Sequence, residues 1–244
     1  MNIAFIGFGK VAFYLSKLID GENINIITSA ENRSDNTVEL INKSDVEVYD
    51  TFKEAVEISD ITVSLNSPSS ALKVAHKYKD YCSGIYLDLN NISPETSIKI
   101  SQLYDNFVDG AIIGKIDSLN PILYLAGEKA GDLLFLNDFL KVNIISNNIG
   151  DASKLKLLRS TYTKSLSALL IECNNLARKY CLDEEFFDIL SLTEGDDFKE
   201  KSLSRINNTL NASKRKKDEL EEIISYFDDD LIMVKAAHEK LSRL

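Results

Sequence analysis

The chain is poor in positive charge for its size. Its 244 residues carry 28 Lys and Arg against 38 Asp and Glu, a formal net charge of −10. That balance argues against a nucleic-acid binder, which needs a basic face, and against an anionic membrane surface as the main partner. Cysteine is scarce: Cys82, Cys173 and Cys181 fall at no metal or redox spacing. They suit a reducing cytosol, where such residues fill cores, and a cytoplasmic location is expected. The two histidines, His76 and His238, have no ligand pattern around them, so no metal site is expected. No apolar run reaches membrane-spanning length. No signal peptide is expected, since glycines interrupt the apolar start and no basic segment precedes it.

What is present starts with Ile3-Ala4-Phe5-Ile6-Gly7-Phe8-Gly9-Lys10-Val11-Ala12. The apolar run reads as a buried strand, and an apolar-periodic helix follows through Phe13, Leu15, Leu18 and Ile19. Strand, G-x-G-x-x-A and helix, in that order, make the turn that holds a dinucleotide. Gly7 allows the tight turn, Gly9 lets the backbone approach a pyrophosphate, and Ala12 lets the helix pack close to the strand. The helix N-terminus then offers free N–H groups and partial positive charge to the phosphates. Gly7, Phe8, Gly9, Lys10 and Val11 are therefore candidate cofactor contacts.

The second strand, Ile24–Thr28, has no acid at its tip. Thr28-Ser29-Ala30-Glu31-Asn32-Arg33-Ser34 follows instead. An acid there would hold both ribose hydroxyls of NAD. Hydroxyl and guanidinium donors suit a 2′-phosphate, so Ser29, Arg33 and Ser34 favour NADP, with NAD through Glu31 as the alternative.

Strands and helices keep alternating. Strands are expected at 46–49, 61–65, 85–89, 107–108, 121–126 and 142–146. Helices are expected at 51–58, capped by Thr51, and at 70–78, 94–103 and 129–140. This alternation predicts a mostly parallel sheet covered on both faces. Ligands in such sheets sit beyond the carboxyl ends of the strands, which places Gly7, Leu65, Asn66, Asn90 and Asn91 at the candidate site. Beyond Gly150 no strand pattern recurs. The expected fold is α/β, with residues 1–148 as a dinucleotide-binding domain and 149–244 as an all-helical domain.

A long helix capped by Asp151 or Ser153 is expected to reach Tyr180. Leu155, Leu158, Tyr162, Leu166, Leu169 and Cys173 form its apolar stripe. The opposite face carries Lys156, Arg159, Ser160, Thr163, Lys164 and Ser167, and residues 152–171 include no acid. Cations and hydroxyls without acids suit a small anionic ligand. By contrast, Lys214-Arg215-Lys216-Lys217 is followed by Asp218, Glu219, Glu221 and Glu222 at pairing distance and reads as a self-paired, solvated face.

These residues resemble the β-hydroxyacid dehydrogenases, which include 6-phosphogluconate dehydrogenase and 3-hydroxyisobutyrate dehydrogenase. Within them the chain is most similar to a subgroup of NAD(P)-dependent oxidoreductases with a short helical C-terminal domain. The likeness rests on Ile6–Ala12, Asn32-Arg33-Ser34, Asp88-Leu89-Asn90-Asn91-Ile92-Ser93-Pro94, and Lys156-Leu157-Leu158-Arg159-Ser160 with Thr163-Lys164. It runs to about residue 195 and is fainter beyond. It implies a Rossmann-type sheet followed by helices that pair between two copies of the chain. It implies Lys156, in a G-x₅-K spacing from Gly150, as the general acid–base, with Asn90 and Asn91 on the substrate. Ser160 stands where many relatives have asparagine, and Lys164 would hold a substrate carboxylate or phosphate. Relatives often carry Ser-Gly-Gly after the sixth strand; this chain has Asp109-Gly110-Ala111-Ile112-Ile113-Gly114 and keeps only one of that trio.

The expected activity is NADP-dependent hydride transfer to or from a small hydroxy acid, or its keto or semialdehyde form. Such transfer needs a group that moves a proton at the oxygen, and a lysine serves when burial or neighbouring cations lower its pKa. Imine reduction on the same fold and non-catalytic NADP(H) binding are the alternatives.

Overall fold

Strand β1 (Asn2–Ile6) is buried on both faces, its Ile3 and Phe5 packing into one apolar cluster and Ile6 into another. It pairs in parallel with β2 (Asn25–Ser29) and with β4 (Ile61–Ser64). β3 (Glu47–Tyr49) continues the sheet beyond β2, and β5 (Ile85–Asp88) and β6 (Phe107–Ile113) continue it beyond β4. β7 (Ile122–Ala126) runs antiparallel to β6, and β8 (Lys141–Ser146) parallel to β7. The strand order is β3-β2-β1-β4-β5-β6-β7-β8. This is a mostly parallel Rossmann-type sheet, and its order reverses between β1 and β4, where such sheets open a crevice. The computed structural model describes residues 1–114, 116 and 121–244.

Local chemistry sets the helix starts. α1 (Lys10–Leu18) follows Gly9 with no side-chain cap. α3 (Phe52–Glu57) opens on a reciprocal capping box, Thr51 Oγ1 accepting from the Glu54 N–H and Glu54 accepting from the Thr51 N–H. α4 (Pro68–Tyr78) and α5 (Pro94–Ser101) each begin on a proline, whose missing N–H costs nothing in a first turn. A polar helix, α2 (Asp35–Asn42), was not expected. It buries only Ile41, so its period is faint in the sequence. The segment expected as a helix at 129–140 is a 3₁₀ helix over Glu128–Asp138.

Two units divide the chain, residues 1–156 and 157–244, and the division falls inside α6 (Asp151–Lys179) rather than at residue 148. Asp151 is the first helical residue of α6 and Ser153 lies in its first turn, so neither caps it as expected. Gly150, at φ 95°, precedes the helix, and its carbonyl accepts from the Lys154 N–H.

The second unit is helical throughout its regular structure: the remainder of α6, then α7 (Asp183–Glu194), α8 (Phe198–Leu210), α9 (Ser213–Tyr226) and α10 (Ile232–Ser242). Ala168, Ile171, Phe187, Ile206, Leu220 and Ile223 form its core. The α6 stripe departs in part from expectation: Leu166 packs against the core, but other members do not. Leu158, Tyr162 and Leu169 face outward and are half exposed or more, while Lys164, Ser167 and Asn174 are buried. The polar face is accommodated inside because Ser167 bonds back to the Thr163 carbonyl and Lys164 forms an ion pair. Cys82 and Cys173 are half-buried, but Cys181 is exposed, at a φ of 54°, and fills no core. Among the described residues, no helix is long and apolar enough to cross a membrane, and no group of His, Cys, Asp and Glu could hold a metal ion.

Candidate functional site: a cleft at the sheet's switch point

The carboxyl ends of β1, β4 and β5 converge. The Leu65 N–H donates to the Ile6 carbonyl and the Leu89 N–H to the Ser64 carbonyl. Gly7 sits at φ 98°, and a Cβ there would lie 2.5 Å from the Leu65 carbonyl oxygen, so only glycine fits this turn. Gly9 differs. Its φ is −86°, and a Cβ would meet nothing within 4 Å. The space before it is open, and it belongs to a cleft of about 410 Å³ bounded by Gly7, Phe8, Gly9, Leu65 and Asn66. α1 follows Gly9 with no side-chain cap at its start, so the helix N-terminus with its partial positive charge faces this space. An open space before a glycine at a helix N-terminus is what an anionic group requires.

The rest of the cleft is cationic. Arg33, Lys73 and Lys77 line it together with Thr37 and Ser70, and among the described residues no Asp or Glu does. The Arg33 guanidinium stacks on the Phe52 ring at 4.5 Å, and its buried Nε has no acceptor. Glu31 is held away: its carboxylate accepts from the Phe52 N–H at 3.3 Å and lies 3.9 Å from the Lys77 amine. The Lys77 pKa is raised, chiefly by its contact with Tyr78 and also by Glu31, with burial and Arg33 opposing. Sequence reasoning missed Lys73 and Lys77. A detectable signal existed, because residues 61–79 contain no acid, though the chain as a whole is acidic.

Two expected cofactor contacts lie elsewhere. Ser29 is fully buried, since β2 is covered on both faces, and its hydroxyl donates to the Asp50 carbonyl while accepting from the Glu31 N–H. It shapes the Glu31 loop rather than lining the cleft. Ser34 is exposed at the N-cap position of α2, its hydroxyl paired with that of Thr37. Thr37 is the one of the pair that lines the cleft.

Beside the cleft, Asn90 is a buried brace. Its amide donates to Asp88 at 2.8 Å and to Ser64 at 2.7 Å, and its carbonyl accepts from the Asn66 N–H. Three of its four hydrogen-bonding capacities are thus satisfied within the sheet. Asn91 is exposed. Asp88 accepts a second bond from the Asn90 backbone. Burial pushes the Asp88 pKa up to about 7; the bonds from Asn90 oppose this, Asp109 adds to it and the Lys156 charge opposes it. Lys156 is half-buried and closes the first unit. It therefore lies within the electrostatic field of a buried carboxyl group.

Ser160 and Lys164 belong to the helical unit. The Lys164 amine is 2.7 Å from Glu219, which also pairs with Arg215 at 2.6 Å. The expected self-pairing of Arg215 is present, but Glu219 serves Lys164 as well. Lys216 donates to Thr209, and its pKa is lowered by burial first and then by Arg215, Lys164 and Arg205.

No family model matches the chain. It is 40% identical over 226 residues to an uncharacterized 28.5 kDa protein encoded in the 7S RNA 5′ region of Methanothermus fervidus, covering 91% of this chain and 89% of the relative. Among solved structures it is similar to the conserved protein MTH1747, described as of unknown function with structural similarity to 3-hydroxyacid dehydrogenases. That match has a TM-score of 0.85 and 31% identity, over 100% of this chain and 96% of the other. The Mycobacterium tuberculosis 3-hydroxyisobutyrate dehydrogenase with L-serine shares the fold at a TM-score of 0.78 and 14% identity, over 99% and 92% of the two chains. Two more structures that share the fold contain a dinucleotide: Psf3 with NADP⁺, and an imine reductase from Myxococcus stipitatus with NAD⁺. With its Rossmann-type sheet, glycine turn and helical C-terminal unit, the chain belongs to the 3-hydroxyacid dehydrogenase-like family that includes MTH1747.

Proposed function

We propose that the protein is an NADP-dependent oxidoreductase acting on a small hydroxy acid, or on its keto or semialdehyde form. The observation that carries this is the open space before Gly9 at the uncapped start of α1, inside a cleft lined by cations and, among the described residues, by no acid. A dinucleotide fits it: Gly7 and Gly9 with the first-turn N–H groups of Lys10 and Val11 hold the pyrophosphate, and Arg33 favours NADP. The nicotinamide, when bound, supplies or accepts the hydride. Lys156 moves the proton at the substrate oxygen. The absence of acid from residues 152–171 supports a small anionic substrate; Lys164, buried against Glu219 in the helical unit, does not serve as its contact.

Two measurements test this. NADPH binding by nucleotide fluorescence is expected in the wild type and in Lys156→Ala alike. Turnover across hydroxy-acid and keto-acid substrates is expected only in the wild type. Binding without turnover across the panel would favour a non-catalytic nucleotide binder. The use of three of the four side-chain hydrogen-bonding capacities of Asn90 inside the sheet is the feature that speaks for that second reading.

A homodimer through the helical unit is part of the same proposal. Leu158, Tyr162, Leu169 and Leu176 present a solvent-facing apolar stripe along α6, with Met233 of α10 also exposed beside the groove that Tyr162 and Leu169 line. A second copy of the chain would cover it.

A further inference from the structure

We propose that Lys73 and Lys77 on α4, together with Arg33, take the third phosphate of the cofactor, the 2′-phosphomonoester, and that Lys77 sets the preference for it over a free 2′-hydroxyl. The inference rests on the dinucleotide reading of the cleft and specifies which residues decide between two dinucleotides.

Charge placement supports it. A dinucleotide pyrophosphate needs only the glycine turn and the start of α1. Three further cations line the same cleft, with no carboxylate among its described lining residues, and exceed that need in a protein of net charge −10, although Lys77 also lies 3.9 Å from Glu31. Lys73 and Lys77 are four residues apart on α4 and so share one face of the helix. Ser70 adds a hydroxyl one turn earlier, and Thr37 faces the cleft from α2. Arg33 is oriented by its stacking on Phe52, which leaves the guanidinium edge for an acceptor.

Glu31 supplies the complementary half. A carboxylate after β2 would hold the ribose hydroxyls of NAD and repel a 2′-phosphate. Here it does not line the cleft. It accepts from the Phe52 N–H and faces the Lys77 amine. Lys77 thus acts twice, adding positive charge at the phosphate position and drawing off Glu31.

The test is a set of dissociation constants for NADPH and NADH, read by nucleotide fluorescence, with 2′,5′-ADP and 5′-ADP as competitors. Lys77→Ala is expected to weaken NADPH and 2′,5′-ADP about tenfold and Lys73→Ala/Lys77→Ala about fiftyfold, while NADH and 5′-ADP bind as tightly as before or more tightly. Lys77→Arg keeps the charge and should restore NADPH binding. Circular dichroism confirms that each variant is folded. If the wild type binds both dinucleotides equally, or if the lysine variants weaken both alike, the inference is overturned while the dinucleotide site stands. If the wild type binds neither, the reading of the cleft itself falls.

Discussion

Asp109 accepts both hydrogen bonds that Ser153 can offer, from its backbone N–H at 3.0 Å and its hydroxyl at 2.7 Å. Both residues are buried, and the bonds join β6 to the first turn of α6. Asp109→Ala leaves two buried donors without an acceptor at a helix start. A loss of about 2–4 kcal/mol is expected, read by chemical denaturation. Asp109→Asn keeps one acceptor and should recover part of it.

The two glycines of the first turn should respond differently. Gly7→Ala meets the Leu65 carbonyl and an unfavourable positive φ, so it should lower the melting temperature. Gly9→Ala adds a Cβ that meets nothing within 4 Å, so it should fold normally and weaken NADPH binding. Equal stability loss in both variants would contradict the assignment of the open space to a ligand.

Asp88 predicts a pH dependence of stability. Its pKa in the folded protein is about 7, against 3.8 for an ordinary carboxyl group. Between those values the native state holds a proton that the unfolded chain has released. Stability from this group therefore falls as pH rises from about 4 to about 7 and levels off above. Asp88→Asn is neutral at every pH, and its melting temperature should lack that slope.

Leu169→Asp places a charge in the exposed α6 stripe. The homodimer proposal expects it to shift the elution volume and light-scattering mass to those of a monomer. An unchanged mass for wild type and variant, both monomeric, would remove the second copy from the account.

Local signals were readable where a single residue type decides the geometry. Gly7, the Thr51 cap and the asparagines at strand ends fall where the sequence places them, because each answers to backbone rules that act over a few residues. α2 was not readable, since one buried isoleucine leaves little periodicity. The α6 stripe was readable as a period but not as a direction. A helical wheel shows that Leu158, Tyr162 and Leu169 share a face, yet only the packing of Phe187, Ile206 and Leu220 against Ala168 and Ile171 shows that this face points out. Ser29 failed for a related reason: β2 is covered on both sides, so position at a strand tip does not mean access to the cleft.

Phe52 holds Arg33 through its ring and Glu31 through its backbone N–H. The first attachment depends on which amino acid is encoded there; the second survives any replacement except proline. Drift at position 52 would therefore loosen the guanidinium while leaving the acid tethered, so a descendant would lose its grip on the phosphorylated ribose before gaining one on the bare ribose.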